Sequence, residues 1–165
     1  MSDPPFVPAD FAVPDGLTAE EFRLEPLGPE HNAADYAAWT ASMDHIRATP
    51  GFAERGWPHE MSHEDNLRDL ERHARDFAER RGFTYTVLSA RSGDVIGCVY
   101  IYPPGSDGPG GGTGEREAVV SSWVRADRAE LDPVLYRGVL AWLEHDWPFD
   151  SITYAPRVID GGPGV

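Results

Sequence analysis

Two stretches of this chain carry residue types whose spacing could do chemistry. His59-Glu60-Met61-Ser62-His63 sets two imidazoles four residues apart around a carboxylate, a pattern that on one continuous helix holds zinc and activates water. The context opposes that geometry, because Pro58 precedes the run and Ser62 reads as a helix cap, so the imidazoles straddle a loop-to-helix junction. A third ligand would have to come from His73 or Glu79, and no metal is expected. The second stretch, Pro103 to Gly114 (PPGSDGPGGGTG), has the composition of a phosphate cradle, but no Gly-Lys-Ser/Thr follows and no helix opens from it. It reads as a hairpin connection instead. The lone Cys98 lies in an apolar run and reads as a packed thiol rather than a nucleophile.

Composition removes other chemistry. All 14 basic residues are Arg, so Schiff-base and phosphate-loop lysines are excluded. With 28 acidic residues the formal net charge is −14, which repels phosphate backbones and anionic membranes, and neither partner is expected. The 165 residues are the size of one domain, 41% are hydrophobic, and no apolar stretch is long enough to span a bilayer. Residues Met1 to Asp15 lack the charged and apolar regions of a secretion signal, so a cytoplasmic location is expected.

The elements that must position any site follow from periodicity. Residues 1–21, with Pro4, Pro5, Pro8 and Pro14, read as an extended arm on the surface, and Phe22 to Leu27 as a short edge strand. Tyr36, Trp39, Met43 and Ile46 form the inner stripe of a first helix stopped at Pro50-Gly51. Ser62 opens a second helix carrying Leu67, Leu70, Ala74 and Phe77 inward, with Gly82 as its stop. Phe83 to Ala90 and Val95 to Tyr102 form a hairpin through Arg91-Ser92-Gly93-Asp94. The second of these strands, VIGCVYIY, is apolar on both faces and must therefore be central, covered on both sides. Glu117 to Val124 returns antiparallel, Asp132-Pro133 opens a third helix ending at Trp147-Pro148, and Phe149 to Tyr154 is the last strand. One domain over 22–157 is expected, with a Gly/Pro loop at 103–116 and a tail at 158–165.

The order strand, helix, helix, three antiparallel strands, helix, strand resembles the Gcn5-related N-acetyltransferase (GNAT) family. The likeness spans roughly residues 22–155 and is carried by FRLEPLGPEHNAADYAAW, TYTVLSARSGDVIGCVYIY and AVVSSWVRADRAELDPVLYRGVLAWL. It implies an α/β (α+β) fold, a mixed and mostly antiparallel central sheet with helices on both faces. It also implies acetyl-CoA as co-substrate and direct transfer to an amine of a small molecule or protein. The family's loop of Arg/Gln-x-x-Gly-x-Gly/Ala meets the pyrophosphate at a helix N-terminus; here Arg125 to Leu131 stands in its place without the glycines. Arg125 and Arg128 supply positive charge there while Asp127 and Glu130 oppose it.

By the same resemblance, the main-chain amides of Trp123, Val124 and Arg125 would meet the donor, and Glu117 would act as base. No residue matches the family's tyrosine acid, leaving Tyr100, Tyr102 and Tyr136 as candidates by location. The family continues past its fifth strand with more structure than this sequence offers, so a homodimer that completes the sheet is expected. The glycine-free loop also fits a second reading, a non-catalytic module of the same fold that binds a ligand or partner.

Overall fold

The computed structural model describes residues 6–52, 57–104 and 116–156. Most of the connection expected at 103–116 and all of the tail at 158–165 lie outside the described residues. Six strands form one sheet in sequence order: β1 Leu17–Thr18, β2 Phe22–Pro26, β3 Phe83–Ser89, β4 Val95–Tyr102, β5 Glu117–Val124 and β6 Ser151–Tyr154. Neighbours are antiparallel except β5 and β6, which run parallel. The helices are α1 Asn32–Thr40, α2 Met43–Arg47, α3 His63–Ala78 and α4 Asp132–Asp146.

The strand that reads as apolar on both faces is central, with β3 and β5 beside it. Alternation, interrupted at Ile96 by an irregularity opposite Val87 and Leu88, splits its side chains between two cores. Ile96, Val99 and Ile101 join Phe22, Tyr85, Val120, Leu135, Val139, Trp142 and Leu143, the core that includes α4. Cys98 joins Leu27, Trp39, Ile46, Phe52, Leu70 and Trp123, the core that includes α1 to α3. The α4 core is almost purely apolar, whereas the other holds buried Asp35, Asn66 and Ser42.

Several boundaries differ from the periodicity. The first helical stretch breaks into a 3-10 turn at Pro29–His31, α1 and α2, because the chain bends after Thr40 to bury both Trp39 and Ile46. Ser62 does cap α3, its Oγ accepting from the Asp65 amide at 3.1 Å. The helix ends before Gly82, however: Arg80 takes the left-handed conformation at φ 63, which costs a non-glycine residue about 1 kcal/mol. Its guanidinium donates to the Pro8 and Phe11 carbonyls at 2.6 and 2.9 Å, contacts that offset that cost. The proline-rich segment is correspondingly more than a surface arm. Val7 is buried, the Tyr85 hydroxyl donates to the Pro14 carbonyl at 2.7 Å, and Leu17–Thr18 add an edge strand to β2.

Between β4 and β5 the backbones approach too closely for a side chain. A Cβ on Gly97 would sit 2.2 Å from the Trp123 carbonyl oxygen. Gly97→Ala is expected to cost about 2 to 4 kcal/mol, read as a lower urea midpoint with an unchanged slope.

Candidate functional site

The one parallel pair among the described residues opens into a fork. β5 and β6 are in register from Glu117↔Ser151 to Val120↔Tyr154, where β6 ends, while β5 runs on to Val124. Pro156 follows β6 two residues later and has no amide to extend the ladder. The Arg125 amide donates to the Ile96 carbonyl at 2.8 Å, so by alternation the amides of Ser122 and Val124 point to the side that β6 has left. On one face of the fork the Tyr154 phenol bonds the Ser122 hydroxyl at 2.6 Å and its ring lies 4.6 Å from that of Tyr136 on α4. On the other face Gly51, at φ 97, passes so close that a Cβ on it would lie 3.8 Å from Ser121 Cβ and 3.9 Å from Ala155 Cβ.

β5 leads through a 3-10 turn, Ala126–Leu131, into α4. Its polar groups are held internally. The Ala126 amide donates to Ser42 Oγ at 2.8 Å. Arg125 grips Asp127 with two nitrogens at 3.0 and 2.8 Å, and Arg128 lies 3.7 Å from Glu130. The hydrogen bonding that Arg125 donates to Asp127 is the chief cause that raises the Arg125 pKa, and the same bonding lowers that of Asp127.

A second feature lies one strand away, on the α1–α3 face: a cavity of about 320 Å³ lined in part by Asp35, Phe52, Trp57, Asn66, His73 and Tyr100. Tyr100 stands opposite Ser121 in the β4–β5 ladder, so the cavity floor adjoins the strand that borders the fork. Asp35 is 4% exposed, and burial pushes its pKa up to about 6, with the Asn66 hydrogen bond opposing. Asn66 is fully engaged: its oxygen accepts from Trp39 Nε1 at 3.0 Å, and its amide donates to Asn32 at 2.8 Å and to Asp35 at 3.3 Å.

His73 is held by a relay. The Tyr102 phenol donates to Asp76 at 2.9 Å, so its oxygen is left to accept from His73 Nδ1, also at 2.9 Å. Thr84 Oγ1 lies 3.1 Å from the same nitrogen. That tautomer leaves Nε2 as an acceptor. Burial lowers the His73 pKa to about 4, so the ring is neutral near pH 7. The phenols of Tyr100 and Tyr102 are shifted upward by burial and stay protonated.

The structure scatters the residues singled out from sequence. Val124 borders the fork and Tyr136 reaches Tyr154 beside it. Trp123 turns its indole to the other core, where Nε1 donates to the Tyr100 phenol at 2.9 Å. The Arg125 amide is not available to a donor as expected, because the sheet uses it. Glu117 sits at the closed end of the β5–β6 pair, four residues or ~13 Å from Ser121. Tyr100 lines the cavity rather than the fork. His59 precedes α3 while His63 is its first residue, so the two imidazoles do not share a helix face.

Asp35, Asn66, Ser122 and Tyr154 escaped the sequence reading, and His73 entered it only as a possible third zinc ligand. A signal was present for three: Asp35 lies one turn from Trp39, and Asn66 and His73 flank Leu70, so all three polar residues fall on apolar stripes.

No protein-family model matches the chain, and no curated protein matches it. Solved structures do. The ribosomal-protein-S5-alanine acetyltransferase from Vibrio fischeri aligns with a TM-score of 0.58 and 10% identity over 78% of this chain and 66% of that one. An acetyltransferase from Salmonella typhimurium that modifies the N-terminal serine of ribosomal protein L7/L12 gives 0.60 and 8% over 88% and 77%. The microcin C7 self-immunity acetyltransferase MccE, solved with acetyl-CoA and AMP, gives 0.57 and 11% over 80% and 66%. This chain spans less than two thirds of the length of the first and third. The likeness is one of fold, and the fold is the GNAT fold that the element order resembles.

The two buried titrating groups pull stability in opposite directions. Asp35 binds its proton more readily folded, so its contribution falls as the pH rises from 3.8 to about 6. His73 binds its proton less readily folded, so its contribution grows as the pH rises from about 4 to 6.5. Asp35→Asn can still accept from Asn66 and removes only the first effect. Its stability should climb between pH 4 and 6.5 and exceed that of the parent at pH 7 by on the order of 3 kcal/mol in urea denaturation.

Proposed function

We propose that this GNAT-fold chain is an acyl-CoA-dependent N-acyltransferase that passes an acetyl group directly to an amine. The observation that carries the reading is the fork, where β5 outruns its parallel partner and turns the amides of Ser122 and Val124 into the gap. A thioester lying along β5 would set its carbonyl against the Val124 amide, a donor fixed before the reaction begins. The amine nitrogen attacks the carbonyl carbon, the C–N bond forms as the C–S bond breaks, the amine gives up a proton to water and the departing thiolate gains one. We assign that last proton to the Tyr154 phenol, which already reaches across the fork to Ser122. Alignment of the two reactants supplies much of the acceleration such a transfer needs. The formal charge of −14 would steer cationic acceptors toward the protein.

A second reading has its own observation. The segment where the diphosphate of acetyl-CoA would rest has its Arg125 and Ala126 amides committed and both arginines beside acids. This favours a ligand-binding module of the same fold without transfer.

Calorimetry with acetyl-CoA, followed by an assay for thiol release with an amine mixture, separates the two. Binding with thiol release supports the transferase, binding without release supports the module, and no heat removes the cofactor site. If acetyl-CoA binds, Asp127→Asn with Glu130→Gln should tighten it several-fold by releasing both arginines, whereas Arg125→Glu with Arg128→Glu should weaken it at least tenfold. Tyr154→Phe should slow turnover by about tenfold or more with little change in binding.

A further inference from the structure

The cavity beneath α1 and α3 presents an unusual set of groups to whatever enters it. Its walls are the rings of Phe52, Trp57 and Tyr100. Asp35 faces it from a position only 4% exposed, and among the described residues the sole hydrogen bond to its carboxylate is the long one, 3.3 Å, from Asn66. Asn66 has no further donor to give, since its two amide hydrogens go to Asn32 and Asp35 while its oxygen accepts from Trp39. His73 offers Nε2 as an acceptor, because Nδ1 is directed at the Tyr102 phenol. The Tyr100 phenol oxygen accepts from Trp123 Nε1 at 2.9 Å. At the rim the Arg72 guanidinium lies 3.5 Å from Asp69, so that cation is answered by an acid of its own helix. His59, also on the rim, is exposed.

The Asp35 carboxylate and His73 Nε2 are therefore acceptors that the cavity presents to a ligand. A ligand that satisfies them must bring several N–H donors and positive charge, and its remainder must be apolar enough to lie against three rings. Burying a carboxylate with so little hydrogen bonding is costly unless a cation joins it. An ammonium also gains from the faces of aromatic rings. The volume suits a compact molecule.

We propose that this cavity binds a compact primary ammonium carried on an apolar body, with Asp35 and His73 receiving its hydrogens and Trp57, Phe52 and Tyr100 enclosing the rest. The site goes beyond the transfer reaction and does not depend on it. Its position next to the fork-bordering strand makes such a molecule a fitting acceptor if transfer occurs.

Phenethylamine is the probe, titrated by calorimetry into the full chain without acetyl-CoA, so that failure here leaves the transfer reading standing and the reverse also holds. Saturable binding is expected, weakened at least about thirtyfold by Asp35→Asn, a change expected to stabilise the fold and hence not to act by unfolding it. The neutral analogue 2-phenylethanol should bind at least tenfold more weakly than the amine. Absence of heat with phenethylamine, equal affinity for the alcohol, or full affinity in Asp35→Asn would each overturn the proposal.

Discussion

A strand that is apolar on both faces has to be roofed twice, and β4 imposes that requirement on everything around it. Its Ile96, Val99 and Ile101 call for one helical layer and its Cys98 for another, so the chain must place α1 to α3 on one side and α4 on the other. β3 and β5 are then the only positions from which flanking strands can satisfy its backbone. The Gly97 contact with the Trp123 carbonyl tightens that junction further. Once β5 is pinned to β4, its other edge is free to follow β6 for four residues and then part from it. The fork is a consequence of where β6 stops.

The two layers are unlike in chemistry. Around α4 the core is built from Leu135, Val139, Trp142, Leu143 and Trp147 against the rings of Phe83 and Tyr85, with the N-terminal segment closing it. Apolar burial of that kind stabilises without specifying a ligand. The α1–α3 layer buries Asp35 and Asn66 in one set of hydrogen bonds, holds the half-buried His73 in another, and leaves a cavity between them. A core that serves stability alone has no need of a carboxylate whose burial raises its proton affinity. Such groups cluster where proteins handle ligands, and the ammonium site proposed above therefore lies on this side rather than in the larger apolar core.

The turn from β5 into α4 joins two tendencies. The fold directs backbone donors and a helix start toward the fork, an arrangement suited to anions. The sequence has set Asp127 and Glu130 beside Arg125 and Arg128 in the same few residues, and the structure pairs them. A phosphate-bearing ligand at this turn, as proposed, would compete for the arginines with carboxylates whose exposed pairs are individually weak.

Local periodicity determined the element types, their order and the central place of β4, because apolar spacing is a property of neighbours in the chain and a doubly apolar strand has one stable environment. The cap at Ser62 was legible for the same reason. Helix ends were less so: Arg80 replaced Gly82 as the left-handed residue because its side chain found the Pro8 and Phe11 carbonyls some seventy residues away. Of the residues singled out from sequence, Val124 and Tyr136 border the fork proposed as the transfer site, whereas Glu117 lies at the closed end of the β5–β6 pair, a placement set by the register with β6. The convergence of Asp35, His73 and Tyr100 on one cavity, and of Tyr154 on Ser122, was decided by the tertiary structure alone, since each joins elements whose pairing is fixed by packing and not by any spacing along the sequence.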